Sequence, residues 1–496
     1  MRWIRAVAAV FVLVAALATP VGAQAASTGP HSQHASLAAT SVNLFGAGNL
    51  GAGTHAVKPF FSTGRAASSA SMAGAASVDL GAVGPALTQL GAFPMTSEDA
   101  AVAQFGSDQS LEPPDTMMAA GPSNLVETIN STGSIWSKSG TRTAIVDLNK
   151  KLPIPSGWAF SDPRILYDAP SGRWFFTGLG FNPLLLSSEV FVAVSKTSDP
   201  AGGFFLYILQ KNSQLHDQPK IGVNDDKVVV GWNDFCCGPF ALFLGGTTWV
   251  LQKSTMLTGS TTPAVGMGPN INISSPVPAQ SMTSTATEYE TYNSGTGDAV
   301  VLAINGTPAA NNVTVTQTNV AMGATSAPPN AQQPGGSIAT NDDRFLSATW
   351  RSNTLWVSGN NGCIPSGSAT TRACLRMVDI STAGTPSLVQ SLDVGKNGAD
   401  VYFPAVTIDA AGNTFFAYSV SSASTFASAA AGEIQAGVVT GTQVYEAGQQ
   451  TYGGTRWGDY SGISIDPTTG QVWAAAEYSA LGSSHDWGTA AGNFSA

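Results

Sequence analysis

The chain has 496 residues, 43% of them hydrophobic and only 10% charged, with 54 Gly and 28 Pro. That much apolar material builds a large core and excludes a wholly disordered chain. Acidic residues outnumber basic ones 31 to 21, which excludes a nucleic-acid binder working through a basic footprint.

The first 25 residues read as a signal peptide. Met1-Arg-Trp-Ile-Arg5 is a basic n-region, and Ala6 to Leu17 is an apolar run of 12 residues. Val21-Gly-Ala23 and Ala23-Gln-Ala25 each offer a small-x-small cleavage site. A bilayer span needs about 20 apolar residues, so this run is too short, and no later stretch qualifies. The expectation is a secreted, extracellular protein with no membrane span. Loss of Arg2 and Arg5 leaves 31 acidic against 19 basic residues, a balance suited to cationic ligands or solvated metal ions.

Residues 26–97 are mostly Ala, Gly, Ser and Thr, and their only charges are Lys58, Arg65 and Asp79. Such a stretch buries too little to offset its chain entropy and reads as a flexible arm. Gly46-Ala-Gly48-Asn-Leu-Gly51 matches the dinucleotide fingerprint, but Gly-rich chain and Pro59 follow where a helix is required. The match is compositional. His31, His34 and His55 have no metal-ligand spacing.

Residues 98–496 form short β-branched and aromatic runs broken by Gly, Pro, Asn and Asp, with no sustained helical period. One unit recurs. Asp162-Pro-Arg-Ile-Leu-Tyr-Asp168 precedes Gly172-Arg-Trp-Phe-Phe176, and Gln218-Pro-Lys-Ile-Gly-Val-Asn224 precedes Lys227-Val-Val-Val230. Phe403-Pro-Ala-Val-Thr-Ile-Asp409 precedes Asn413-Thr-Phe-Phe416, and Tyr460-Ser-Gly-Ile-Ser-Ile-Asp466 precedes Gly470-Gln-Val-Trp473. Looser copies start at Asp115 and Asp343, and one more is expected near Thr285, with Glu288-Tyr-Glu-Thr-Tyr292 as its first run. Each copy reads as strand, tight turn, strand. Repeated along the chain, this predicts an all-β propeller of seven blades, with six as the alternative count. The last blade is one strand short at the C-terminus, so residues from about Phe93 to Phe105 are expected to complete it.

Pro114-Asp-Thr116, Asp162-Pro, Arg173-Trp, Asp199-Pro-Ala-Gly202, and Arg456-Trp-Gly-Asp-Tyr460 with Glu477-Tyr together resemble a known family. It is the secreted bacterial family with a sialidase-like β-propeller, whose members mostly lack an assigned activity. The resemblance implies fold and export and supplies no reaction. Asp217-Gln-Pro219 departs from its pattern, which has an aromatic between Asp and Pro.

Chemistry divides between two readings. The first is a binding or scaffold module for an extracellular glycan, peptide or surface polymer. First-column residues of a propeller gather at one mouth of the central channel, which brings together Asp115, Asp162, Asp217, Asp343, Asp459 and Tyr460. Carboxylates so placed repel unless neutralised, and could recruit a cation. Ca²⁺ is the natural candidate, with Asp162 and Asp459 as ligands. Alternatively, each Asp caps its own turn. The second reading is a sialidase-type hydrolase, which needs an arginine cluster, a Tyr nucleophile and carboxylates. Arg164, Arg344 and Arg456 would bind the substrate carboxylate, Tyr460 would attack, and Asp115 and Glu477 would assist. Whether the protein is an enzyme stays open at this point. Neither His216-Asp217 nor His485-Asp486 accompanies a nucleophile elbow, and both read as loop polar residues. Cys363 and Cys374 bracket a turn and are expected to pair; adjacent Cys236 and Cys237 either form a vicinal disulfide or stay free.

Overall fold

The computed structural model describes residues 32–63, 75–82, 87–109, 111–185, 187–237, 241–482 and 485–495. The expected signal peptide, 1–25, lies outside them. The described chain is a succession of antiparallel meanders, four-stranded over residues 117–147, 159–212, 215–270, 277–321, 345–395 and 400–446 and three-stranded over 462–495. Their inner strands are buried on both faces, which is why they read as continuous apolar runs such as Val190-Phe-Val-Ala-Val194 and Val228-Val-Val230, while outer strands such as Thr314–Ala321 are largely exposed. Between the second and third meanders, for example, Phe175, Val192 and Tyr207 pack with Val228, Val230 and Trp249.

The first strands lie side by side in succession, from Met117–Ala120 through Ala159–Asp168 and Leu215–Val223 to Gly462–Ile465, which returns to Met117–Ala120. This is a β-propeller arrangement. Five of the sheets stand separately, with four or five strands each. The meanders at 215–270 and 345–395 are joined into one eleven-stranded sheet by Gln280–Ser281, which bridges in parallel to Val223 on one side and Thr349 on the other.

Three expectations are corrected. The copy near Thr285 starts earlier: Val277–Pro278 is its first strand, and Glu288–Asn293 pairs with it as the second. The stretch expected as a flexible arm is docked wherever it is described. Ser32–Leu37 extends the third meander, Thr40–Val42 the second, and Ala76–Asp79 the fifth in parallel. An outer blade edge offers unpaired backbone, and these short strands satisfy it with few apolar side chains, Leu37, Val42 and Val78 packing on the clusters beneath. Composition registers side chains and is blind to that backbone pairing. Lastly, the strand completing the last meander is Thr88–Ser97, antiparallel to Trp487–Ser495 with Phe93 opposite Ala491. Residues Glu98–Phe105, expected within that strand, form a helix capped by Ser97 Oγ, which accepts from the Ala100 amide at 3.3 Å.

Candidate functional site

A column of left-handed residues positions the mouth of the channel. Asp115, Asp162, Gln218, Ser275, Asn341 and Phe403 have φ between 51° and 56°. Non-glycine residues there cost about 1–2 kcal/mol each, so the surroundings must hold them. A side chain of the preceding meander does so in four cases. Asn130 Oδ1 accepts from the Asp162 amide at 2.8 Å, and Asp162 Oδ2 from the Gln218 amide at 2.9 Å. Asn233 Oδ1 accepts from the Ser275 amide and Asn360 Oδ1 from the Phe403 amide, both at 2.6 Å. In the fifth meander this position belongs to Asn341, so Asp343 is displaced from the column. Its carboxylate accepts from Thr325 Oγ1 at 2.6 Å, and it takes no part in the mouth cluster.

The other four carboxylates converge. Asp115 Oδ1 accepts from the Asp459 amide at 2.8 Å, and Oδ2 from Asn130 Nδ2 at 3.0 Å. Asp459 accepts from Gln218 Nε2 at 2.7 Å and from Asn341 Nδ2. The caps therefore run from one meander to the next instead of within each turn. The cation among them belongs to the chain itself. Lys58 Nζ lies 3.2 Å from Asp162 and pairs with Asp217, with Lys58 only 5% exposed. Burial lowers its pKa, but Asp162, Asp217 and Asp459 outweigh burial and drive it above the ordinary lysine range. A Ca²⁺ here would have to displace that ammonium. Among the described residues, no group of three or more His, Cys, Asp or Glu is arranged to hold a metal.

The segment carrying Lys58 lies across the mouth. Arg456 Nη1 donates to the Lys58 carbonyl, and Arg344 Nη2 donates to the Phe61 carbonyl at 2.8 Å. The Arg344 guanidinium also lies 4.8 Å from the Phe60 ring centroid, and Phe61 packs on Phe235. Burial and the neighbouring Asp459 and Asp162 hold Asp115 well above its usual pKa. Burial also raises Asp459, but Arg456, Lys58 and Arg344 overcome it and hold this carboxyl low.

The residues expected to run a sialidase reaction are brought near one another and are already engaged. Arg344 is bidentate to Asp342 at 2.7 Å on both bonds, and Arg456 Nη2 grips Asp459 at 3.0 and 3.1 Å. Arg164 stacks its guanidinium 3.5 Å from the Tyr460 ring centroid. The Tyr460 hydroxyl donates to the Pro163 carbonyl at 3.1 Å, and burial beside Asp115 pushes its pKa well up. Glu477 Oε2 accepts from the Gly458 amide at 2.7 Å, and burial raises this carboxyl well above the ordinary range.

Both disulfides are formed: Cys363–Cys374 links neighbouring strands of one sheet, and Cys236–Cys237 is vicinal. His216 is not a loop residue. It is fully buried in the strand Leu215–Val223, where Nδ1 pairs with Asp234 Oδ1 against the Trp232 ring. His485 is paired with Glu98 at 3.0 Å.

Sequence reasoning missed Lys58, Asn341 and the clamping asparagines. The signal for Lys58 was present: a lone lysine inside an Ala/Gly/Ser stretch, where a solvated role would not require one.

No family model matches the chain, and no curated protein does. Solved structures similar to it include a protein of unknown function from Dyadobacter fermentans, at 10% identity and TM-score 0.35, covering 68% of this chain and 96% of that one. An α-L-arabinofuranosidase from Fusarium graminearum gives 11% identity and TM-score 0.34 over 62% of this chain and 88% of the other. A sialidase from Trypanosoma rangeli gives 10% identity and TM-score 0.34 over 73% and 57%. Likeness of this degree transfers no residue role.

Proposed function

We propose that the chain is a secreted, closed seven-bladed propeller that acts as a binding or scaffold module for an extracellular glycan, peptide or surface polymer. The observation that carries this reading is the closed mouth. Residues 58–61 lie over it, Lys58 neutralises its carboxylates, and Arg344 and the two terminal nitrogens of Arg456 donate to Asp342, Gln218, Asp459 and the carbonyls of that segment. A buried tyrosine whose hydroxyl is donated to a carbonyl is poorly placed as a nucleophile. Rims and blade flanks are then the surfaces left for recognition.

Seven blades follow from counting the two meanders of the eleven-stranded sheet as separate blades. Two disulfides and the basic–apolar leader support export. The test is a glycan and peptidoglycan-fragment panel run beside fluorogenic sialosides. The expected result is retention on a polymer without turnover. Sialoside hydrolysis that disappears in Tyr460→Phe would replace this reading with the hydrolase.

A further inference from the structure

Two residues beyond the left-handed positions, the first strands carry Arg164 and Lys220 into the channel. They line a cavity of about 60 Å³, together with Ser347 and Ser464. Both cations are buried, Arg164 at 6% and Lys220 at 2% exposure. Among the described residues, Lys220 Nζ has no carboxylate within 4 Å, and its hydrogen bond is a long one of 3.4 Å to the Gln218 carbonyl. Arg164 Nη1 makes contacts of 3.5 and 3.4 Å with Met117 Sδ and the Leu346 carbonyl, while Nη2 has no partner among the described residues. Ser464 Oγ accepts from the Ala120 amide and Ser347 Oγ from the Val406 amide, so each hydroxyl still has a proton to donate.

Donors therefore converge on this space, and the acceptors that meet them are the long contacts to the Gln218 and Leu346 carbonyls and Met117 Sδ, with Arg164 Nη2 left unpaired. Unpaired buried donors and like charges are costly, and burial with repulsion from Arg164 and Arg344 pulls Lys220 down to about 7. Asp217 and Asp162 oppose that shift without reversing it, and Glu290, raised by burial to about 8, supplies little negative charge at neutral pH.

Ion pairing points the same way: of the channel and mouth cations, Lys58, Arg344 and Arg456 each pair with carboxylates, whereas Arg164 and Lys220 have none within 4 Å among the described residues.

We propose that the channel cavity is a binding site for one small monovalent inorganic anion, held by Arg164 Nη2, the Lys220 ammonium and the hydroxyls of Ser347 and Ser464. The bound ion ties the second and third meanders to the fifth and the last through their first strands, acting as a pin on the axis. A cavity of this size accommodates a chloride with a water or two.

The experiment uses the full-length protein. Thermal unfolding is followed in sodium chloride, bromide and gluconate at one ionic strength, for wild type and Lys220→Met, and bromide-soaked crystals are measured for anomalous scattering. The expected result is a saturable rise in wild-type Tm with chloride or bromide over gluconate, absent in Lys220→Met, and a bromide peak between Arg164 and Lys220. If Lys220→Met does not fold, Ser464→Ala replaces it, with a smaller halide response expected. Equal Tm in all three salts with no bromide peak would mean water alone fills the cavity and would overturn the proposal. A bromide peak elsewhere only would do the same.

Discussion

At the scale of single residues, the mouth depends on Lys58. Removing one partner from a buried ion cluster strands the others, at a cost of about 3–5 kcal/mol. Lys58→Met is accordingly expected to lower stability by about that amount in denaturant titrations, because Asp162 and Asp217 lose their ammonium. With the ammonium in place, calcium added to the wild type is expected to leave the Tm unchanged; a rise would show that the ion displaces Lys58. Glu290 gives a pH signature of its own. Burial raises it from 4.5 to about 8, and Thr248 Oγ1 donates to it at 2.7 Å. The folded state therefore holds an extra proton between those pH values, so its contribution is full below 4.5 and lost as pH rises to 8. Glu290→Gln removes that dependence: the variant should gain on wild type from pH 5 to 8 and hold a constant lead above. A constant difference across the range would show that the carboxyl titrates normally. Lys220 acts with the opposite sign, adding stability from about pH 7 to 10.5, so the two are separated by variant, not by profile alone.

At the scale of strands and turns, the N-terminal stretch supplies edges. Deleting residues through 63 removes the strands Ser32–Leu37 and Thr40–Val42 along with Lys58. Deletion through 97 also removes the strand against Trp487–Ser495. Thermal melts should therefore show a loss for the first truncation and a sharper one for the second. Equal melts for the intact chain and the shorter truncation would mean that the docked edges contribute nothing. The repeat was legible because a strand–turn–strand unit has to recur in hydrophobic pattern wherever a blade recurs. Its phase was harder to read. Ser275-Pro276 is short and polar, and the first strand after it is two residues long, so the longer run Glu288–Asn293 masked it. Asp343 was mistaken for its column mate because Asp343-Arg344 resembles Asp162-Pro-Arg164, while the left-handed turn sits at Asn341. The carboxylate convergence is visible in Asp115, Asp162, Asp217 and Asp459; the side chain that neutralises them, Lys58, stands out as a lone lysine, but its distance in sequence hides which groups it meets. Non-reducing peptide mapping should recover Cys363 linked to Cys374 and Cys236 to Cys237, and alkylation of either pair without reductant would contradict the observed pairing.

At the scale of the whole molecule, the ring is held by contacts between the two ends of the chain. Thr88–Ser97 lies against Trp487–Ser495, Asp115 accepts from the Asp459 amide, and Glu112 holds the Thr455 amide at 2.8 Å. These contacts span nearly the full length of the polypeptide, which places the fold among slow, topologically complex ones. The order of synthesis sharpens the point. Thr88–Ser97 leaves the ribosome well before its partner strand Trp487–Ser495, with all the other blades made in between. Throughout that interval the strand's backbone and its Phe93 and Met95 side chains have nowhere to pair, and Lys58 waits likewise for Asp459. Individual blades can form as they emerge, yet the circle can be shut only once, and only after Trp487–Ser495 has been made.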